Sequence, residues 1–353
     1  MNLLSLFRKT TQPASVYALD HAVLNLPLPP PSMWMNLGYW KDTSDFPTAC
    51  AALLDQVLIT ASLLDENGNA LPHPAEKSLR MVDVGIGCGD QSVRVLGYKR
   101  GGKKGFAAAA AATDGNGEQN KDANNGSNEP LFDSYVGLTS LPIQAQFASQ
   151  RLEQLEQQDP KPRSKPKAQI FCADAANPPS WSPELQSCLP LPPRNKKESK
   201  RESENEETWL LALDALYHFQ PSRTPLFTYS YSTLHASIMA FDLILPSSPP
   251  LSFWTRLLLR ILCFFAQIPY ANFLTQDEYT ALLVRAGYDP DKIMFRDISA
   301  DVFGGIAGFI RRRVEEGKGF GLGGMAKFRV AGRLSEWWAR TGVVRGVVVV
   351  ARV

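Results

Sequence analysis

The segment Ser78–Asp90 reads SLRMVDVGIGCGD, and it decides the fold class. Its first seven residues, Ser78–Val84, form a short β-rich run that predicts a buried strand. Gly85, Gly87 and Gly89 follow at once, which indicates a sharp turn where the backbone lets a ligand approach closely. In open α/β sheets ligands bind outside the carboxyl ends of the strands, so this turn is the first place to expect a site.

Further short apolar runs alternate with helical stretches along the rest of the chain. The other predicted strands are Ser134–Leu138, Ala168–Ala173, Thr208–Leu213, Ala236–Leu245 and the buried C-terminal run Val343–Val353. A helix is predicted from Pro142, and another over Leu274–Gly287, where Thr275 and Glu278 suit a capping box and Gly287 a helix end. This alternation predicts a Rossmann-like, doubly wound α/β sheet, mostly parallel with a final antiparallel strand.

Two segments have almost nothing to bury and are predicted to be disordered insertions. Gly97–Pro130 is rich in glycine, alanine, asparagine and lysine, and Arg194–Glu207 (RNKKESKRESENEE) has no apolar side chain. The organisation that follows is a helical N-terminal cap over residues 1–77 and one domain over residues 78–353 that carries both insertions.

Composition excludes several classes of protein. The chain has 353 residues, 44% of them apolar, and a net charge of +2, so no global field would concentrate nucleic acid on it. Five cysteines without a CxxC pair and four histidines without zinc-ligand spacing predict neither a disulfide scaffold nor a metal site. A reducing, intracellular compartment is the expectation.

Neither of the two long uncharged runs in the sequence predicts a transmembrane helix. The uncharged run His21–Trp40 is broken by four prolines, and the run Ile261–Gln276 is too short to span a bilayer. Met1–Gln12 has two basic residues and no acid, which suits a short amphipathic helix in a cytoplasmic protein or an organelle-targeting segment, for example a mitochondrial one.

Position 90 separates two interpretations of the glycine-rich turn. A dinucleotide-binding dehydrogenase needs a third glycine there, beneath a pyrophosphate. The residue is Asp90, and an acid at this helix start would repel a diphosphate. The dehydrogenase interpretation is therefore disfavoured.

The pattern VDVGxGxG closely resembles motif I of the class I S-adenosylmethionine-dependent methyltransferases, in particular the subgroup of tocopherol, sterol and ubiquinone-pathway enzymes and their fungal relatives. The resemblance covers about Trp34 to Val353 without the two insertions. The other segments that match in order are Met35–Trp40, Gly137–Ala148, Ala173–Ala175, Leu213–Phe219 and Glu278–Gly287.

The resemblance implies S-adenosyl-L-methionine as the cofactor and assigns residues to it. Asp83, with Gly85, Gly87 and Gly89, would hold the methionine portion; the alternative for Asp83 is a carboxylate that only orders the loop. Asp174 and the amide of Ala175 would contact adenine, although Asp174 also suits a helix cap.

The ribose contacts depart from the pattern of many class I enzymes. Their second strand ends in an acid, whereas this chain has Thr139 and Ser140, a hydroxyl pair that the subgroup also shows, with Gln144 nearby. Tyr39 and Trp40 would either close over the cofactor or serve as core aromatics.

Three residues near the end of the fourth predicted strand are the catalytic candidates: Asp214, Tyr217 and His218. Methyl transfer is an in-line displacement that depends mostly on positioning, and an acidic acceptor also needs a base. A histidine near its ordinary pKa is such a base at neutral pH, and a structural role is the alternative for His218.

The acceptor is indicated only by apolarity. Leu251–Leu274 is bulky and aromatic, which suits a substrate lid, a surface in peripheral contact with a membrane, or a helix packed on the sheet. A hydrophobic small molecule (lipid, sterol, prenylated or phenolic) is the predicted substrate. Asn177–Trp181 differs from the Asn-Pro-Pro-aromatic motif of amino-methyltransferases because Ser180 intervenes, and no nucleic-acid partner is expected. Two other functions stay open: a catalytically silent regulatory or assembly protein, and a lipid-surface binding module.

Overall fold

A computed structural model of the chain describes residues 30–74, 77–100, 129–158, 167–189, 206–266, 268–319 and 326–353. The described strands form one seven-stranded sheet in the order β3-β2-β1-β4-β5-β7-β6. Their bounds are β1 Ser78–Val84, β2 Ser134–Thr139, β3 Lys167–Cys172, β4 Glu206–Leu213, β5 Ala236–Ile244, β6 Ile293–Asp297 and β7 Arg345–Ala351. Strands β1 to β5 run parallel, while β7 is antiparallel to both β5 and β6. The predicted fold class is confirmed.

Helices cover both faces of this sheet, because successive strand residues point to opposite sides. Met81 and Trp209 contribute to the core on one face, and their neighbours Val82 and Leu210 to the core on the other. The described helices are α1 Phe46–Thr60, α2 Asp90–Gly97, α3 Pro142–Gln158, α4 Pro183–Cys188, α5 Thr224–Ser232, α6 Phe253–Ala266, α7 Gln276–Ala286, α8 Phe303–Gly319 and α9 Ala326–Thr341.

The helices divide between the two faces. Buried residues of α1, α2, α3, α6, α8 and α9 belong to the first core, and those of α4, α5 and α7 to the second. Helix α7 has the predicted capping box between Thr275 and Glu278, and Gly287 ends it at φ +120°. The result is a three-layer sandwich in which the sheet is the middle layer and helices form the two outer layers.

The two predicted insertions are shorter than the sequence indicates, because both ends of the first and the C-terminal end of the second have defined structure. Lys99 and Pro130 form an antiparallel bridge, and β4 begins at Glu206, inside the predicted loop. Lys99 is ordered by its bridge to Pro130, and Glu206 by its pairing with β1. Composition alone does not reveal such contacts between distant segments. The remainder of both insertions, residues 101–128 and 194–205, lies outside the described residues, as do Met1–Gln12 and residues 21–29 of the run His21–Trp40.

The last third of the chain holds elements that the sequence did not predict. Strand β6 is the outer strand beside β7, and its side chains are exposed or half-buried, so its apolar pattern is weak. Helix α8 opens with Phe303-Gly304-Gly305, a poor helix-forming start. Within the described residues, none of the helices combines the length and apolarity that a membrane crossing needs.

Candidate active site

A cavity of about 490 Å³ opens at the carboxyl ends of β1 to β4. Strand β1 lies between β2 and β4, so the order of strands reverses there, which is where α/β sheets bind ligands. The turns after these four strands form most of its wall, and Met33–Asn36 closes one side. Its volume is within the usual range for small-molecule sites.

The glycine-rich turn after β1 can adopt its shape only with glycine at two positions. Gly85 has φ +78°, and a Cβ there would lie 2.6 Å from the Cβ of Ala215, in the turn after β4. Gly89 has φ +90°, and a Cβ there would lie 2.7 Å from Cα of Ala148 in α3. Gly85 and Gly87 line the cavity, whereas Gly89 lets α2 and α3 pack closely behind it.

Asp83 lies beneath this turn and does not line the cavity. It is fully buried; the Tyr135 hydroxyl donates to its Oδ2 at 2.6 Å, and Gln91 Nε2 donates to its Oδ1. Burial raises the pKa of Asp83 to about 7, although the hydrogen bonds from Tyr135 and Gln91 act against the rise. Of the two predicted roles, the geometry favours the loop-ordering carboxylate, which reaches the cavity only through Gln91.

Asp214 directly follows β4 and does line the cavity. Its backbone has φ +59°, an unfavourable conformation for a residue other than glycine, asparagine or aspartate. The Leu37 amide donates to Oδ2 at 2.8 Å, while the buried Oδ1 has no hydrogen-bond partner among the described residues. Burial raises the pKa of Asp214 to about 7, and the Tyr217 hydroxyl and the Leu37 amide act against the rise. A buried carboxyl oxygen without a hydrogen-bond partner at the wall of a cavity indicates a functional position.

Tyr217 and His218 follow Asp214 on a short 3₁₀ helix, Leu216–His218, and both line the cavity. Their ring centroids are 4.3 Å apart. Partial burial lowers the pKa of His218 from its ordinary value, so its ring is neutral at pH 7 and can accept a proton. All three catalytic candidates therefore meet at one wall.

The predicted ribose-binding residues also lie together. Thr139 donates its hydroxyl to Oε1 of Gln144 at 2.6 Å, and both residues line the cavity with Ser140. The pair brings hydroxyl and amide groups to the end of β2, where many class I enzymes have an acid. These groups can donate to and accept from sugar hydroxyls.

Asp174 and Ala175 line the cavity at the end of β3. The Asp174 carboxylate accepts from the Ala176 amide at 2.9 Å, and its carbonyl accepts from Trp181 Nε1 at 2.8 Å. Asp174 therefore orders its own turn and caps no helix, because the next helical turn has Asn177 at its N-cap; Asp174 also faces the cavity. The Oδ1 atom of Asp174 accepts the hydrogen bond within the turn, and the residue remains exposed.

Tyr39 and Trp40 are not brought to the cavity. Trp40 is buried against the rings of Phe46 and Phe309, with ring centroids 6.2 and 5.4 Å away. Its Nε1 donates to the Leu37 carbonyl at 2.8 Å. This placement matches the core alternative, because the closing wall comes from the preceding residues, Met33–Asn36. Similarly, no described residue of Leu251–Leu274 lines the cavity, so this segment is not its lid.

The sequence did not assign Asp90 to the site, although it lines the cavity. Its carboxylate accepts from the Met33 amide at 3.2 and 3.1 Å and from Arg151 Nη1 at 2.9 Å. Burial raises the pKa of Asp90, and Arg151 acts against the rise. Gln91 and Asn36 are the other unassigned polar residues of the wall. An acidic residue at the start of α2 was the sequence signal that could have placed Asp90 in the site. Its contact with Met33, 57 residues away, could not be predicted from local sequence.

Charge on the cavity wall has one sign. Among the described residues, three carboxyl groups line it, with no lysine or arginine: Asp90, Asp174 and Asp214. Arg151 pairs with Asp90 at 2.9 Å from outside the wall, which leaves Asp174 and Asp214 for a ligand. Such a wall favours a cation and disfavours a diphosphate. Nowhere in the described chain do three or more histidine, cysteine or acidic side chains cluster closely enough to hold a metal ion.

Comparisons with known proteins identify the fold but no family. The sequence matches no protein-family model and no curated protein sequence. Among solved structures, it resembles a mycolic acid cyclopropane synthase in complex with SAH and CTAB, with 13% identity, a TM-score of 0.55 and 95% of each chain covered. A putative sarcosine dimethylglycine methyltransferase from Galdieria sulphuraria gives 10% identity, a TM-score of 0.54, and 90% and 92% coverage of this chain and its own.

A cyclase, SpnF, matches with 13% identity, a TM-score of 0.50, and 95% and 90% coverage. The chain thus has the Rossmann-like fold of S-adenosylmethionine-dependent methyltransferases, over nearly its whole length. A fold that also hosts a cyclase does not fix the reaction, so function has to be argued from the cavity.

Proposed function

We propose that the chain is an S-adenosylmethionine-dependent methyltransferase that acts on a hydrophobic small molecule. The supporting observation is the cavity wall of three carboxyl groups without a lysine or arginine, at the switch point of a methyltransferase-like sheet. S-adenosylmethionine carries sulfonium and ammonium charges, whereas a nicotinamide dinucleotide carries a diphosphate. The wall therefore suits the first ligand and disfavours the second.

Each part of the donor has a matching group on the wall. The turn at Gly85 and Gly87 offers bare backbone to the methionine portion. The Thr139–Gln144 pair, with Ser140, suits the ribose hydroxyls, and Asp174 with the Ala175 amide suits the adenine edge. Asp214 is the group we assign to the donor's positive charge, because its buried Oδ1 has no partner among the described residues.

The donor, when bound, supplies a methyl group from its sulfonium, and the rest of the donor leaves as a neutral thioether. The chain has to hold the acceptor in line and remove its proton. We assign that proton to His218, whose ring is neutral at pH 7 because partial burial lowers its pKa. The centroid of the Tyr217 ring lies 4.3 Å from that of this histidine, and the Tyr217 hydroxyl acts against the rise that burial causes in the pKa of Asp214.

Apolar side chains on the cavity wall support a hydrophobic acceptor. Met33, Trp34 and Met35 line one side and Phe219 another, beside the catalytic candidates. Apolar walls with a few convergent polar groups are typical of small-molecule sites. We therefore keep a lipid, prenylated, sterol-like or phenolic molecule as the acceptor class.

Calorimetry with three ligands tests the donor assignment. We expect S-adenosylmethionine and S-adenosylhomocysteine to bind and NAD to give no heat. Asp214→Asn should weaken S-adenosylmethionine by about tenfold or more, since it removes a buried charge partner of a cation. Asparagine tolerates φ +59°, so this variant adds no backbone strain. Asp277→Asn, in the exposed first turn of α7, is the matched control and should bind normally.

Turnover is measured with a labelled methyl donor, a fractionated metabolite extract and mass spectrometry. His218→Ala should reduce transfer by about a hundredfold while leaving donor affinity unchanged, because general-base catalysis typically contributes that much. Heat with NAD instead of the donor would overturn the proposal. Donor binding without transfer to any fraction would favour the catalytically silent protein.

A further inference from the structure

Helix α6 exposes an unusually apolar surface. Phe253 and Trp254 are 72% and 75% exposed and contact each other edge to face, and Leu257, Leu258 and Ile261 are also exposed. The other side of the helix, with Leu259 and Cys263, is buried in the core of the first sheet face. Large contiguous apolar patches on a protein surface mark interaction sites.

Helical geometry gathers these side chains into one stripe. At 3.6 residues per turn, positions 253, 254, 257, 258, 261 and 264 fall within an arc of about 140°. Arg256 and Arg260 border one edge of this stripe, and both are exposed. Arg260 also stacks over the Tyr270 ring at 4.9 Å, which fixes its guanidinium near that edge. We call positions 253, 254, 256, 257, 258, 260, 261 and 264 the α6 surface.

The chain segment that carries this surface has charges of a single sign. Between Asp242 and Asp277 the sequence contains two arginines, Arg256 and Arg260, and no acidic residue. An exposed apolar stripe edged by arginine complements an anionic lipid surface, in which acyl chains lie directly below negative headgroups. Trp254 and Phe253 are residue types that bury well at the headgroup boundary.

We propose that the α6 surface docks the protein on an anionic lipid bilayer, with α6 lying in the plane of the membrane interface. The helix has 14 residues and is about 21 Å long, too short to span the hydrocarbon core but sufficient to lie along the interface. Burial of its apolar stripe supplies the affinity, and Arg256 adds attraction to anionic headgroups.

Docking through α6 would bring the candidate active site near the membrane. A 3₁₀ helix, Tyr270–Asn272, follows α6 in the chain, and the Tyr270 ring contacts Arg260 of α6. The Asn272 amide donates to the carbonyls of Tyr217 and Phe219, at 3.1 and 2.7 Å, and both of these residues line the cavity. These contacts join the segment that follows the docking helix to the cavity wall, a suitable arrangement for a protein whose acceptor is dissolved in lipid.

Vesicle flotation of the full chain tests the proposal, with phosphatidylcholine vesicles and with vesicles that also contain phosphatidylserine. We expect binding to the anionic vesicles, weakened by salt. Phe253→Ser with Trp254→Ser should reduce vesicle affinity by about tenfold or more per aromatic side chain. Arg256→Gln should reduce only the gain from phosphatidylserine. Val330→Ser, which removes an apolar side chain 61% exposed on α9, is the matched control and should bind like the parent.

Because the substituted residues are exposed, the variants should retain the parent's thermal unfolding, which is measured alongside. Donor affinity, measured by calorimetry without vesicles, should also be unchanged; the docking surface and the proposed function thus fail independently. Equal vesicle binding by the parent and the Phe253/Trp254 variant would overturn the proposal. So would a parent that ignores vesicles and forms a dimer abolished by the same substitutions, since a second copy would then cover the surface.

Discussion

Asp83 and Asp214 show how two buried carboxyl groups can take different roles. Burial raises the pKa of each to about 7, so the values do not distinguish them. Both oxygens of Asp83 accept hydrogen bonds, from Tyr135 and Gln91, and the residue does not line the cavity. Asp214 keeps one buried oxygen without a partner among the described residues, and it does line the cavity. The unsatisfied group is the one available to a ligand.

The pKa of Asp214 predicts how donor affinity depends on pH. A cation binds the ionised carboxylate, so at a pH below about 7 binding has to displace a proton. Affinity for S-adenosylmethionine should therefore rise from pH 6 to pH 8, with a limit of about tenfold per pH unit on the acid side. Calorimetry across this range, in buffers of different ionisation enthalpy, measures the affinity and the released proton. The slope should shrink in Asp214→Asn; an equal slope in that variant would refute the assignment.

Gly89 predicts a large effect for the addition of one methyl group. In Gly89→Ala the new Cβ would lie 2.7 Å from the backbone of Ala148 and would sit at φ +90°. We expect a loss of about 2 kcal/mol or more in unfolding free energy, measured with urea, because α2 has to move away from α3. Gly308→Ala is the control: nothing lies within 4 Å of its added Cβ in α8, and a gain of about 0.5–1 kcal/mol is expected. Similar effects in both variants would contradict the close packing.

Helices α5 and α7 are tied to β5 by a buried polar network that ends at the wall of the cavity. Arg223, just before α5, donates to Asp242 of β5 and to the Asn272 carbonyl. Tyr279 of α7 donates to the same Asp242 carboxylate at 3.0 Å. Since Asn272 in turn holds the backbone of Tyr217, the network positions the wall that carries the catalytic candidates.

Breaking this network should be costly. Arg223→Met leaves Asp242, which is fully buried, without its charged partner, so we expect a loss of about 3–5 kcal/mol in urea unfolding. Arg345→Met breaks an exposed pair with Asp297 and should change stability by only about 0–1 kcal/mol. An Arg223→Met loss no greater than that of the control would mean that Asp242 does not depend on Arg223.

The described ends of the first insertion meet in space, so the domain does not need the intervening chain to connect them. The Arg100 amide donates to the Glu129 carbonyl at 2.9 Å, beside the bridge between Lys99 and Pro130. The side chain of Arg100 is buried and donates to Asp133 at 2.7 Å. These contacts form the start of a hairpin to which a short turn could be joined.

Replacement of residues 101–128 by Asn-Gly should therefore preserve the fold. A two-residue turn suits the pairing of Arg100 with Glu129, and unfolding free energy should change by about 1 kcal/mol or less. A longer deletion that joins residue 98 to residue 131 through the same Asn-Gly turn removes the bridge and Arg100 as well, and it should cost about 1–3 kcal/mol more. Urea unfolding and donor calorimetry check both variants. Equal stability of the two would show that the bridge contributes nothing.

Local patterns predicted the elements that are strongly apolar and bounded by clear punctuation. Strand β1 was predicted with its observed bounds, and the capping box of α7 was predicted residue by residue. Strand β6 was missed because, as an outer strand with exposed side chains, it lacks a buried pattern of its own. The first residues of β4 were missed because Glu206 and Glu207 look like the charged loop before them, and only pairing with β1 extends the strand over them.

The sequence by itself determined strands β1 to β5 and β7, the glycine-rich turn and the set of residues at the strand ends, since each depends on contacts among near neighbours. Tertiary structure alone decided which carboxylates face the cavity. Met33 reaches Asp90 across 57 positions, and Leu37 reaches Asp214 across 177. It also decided that Trp40 is buried in a core and that Trp254 faces solvent. Burial and hydrogen-bond satisfaction depend on chain segments that meet only after folding, and no local spacing records them.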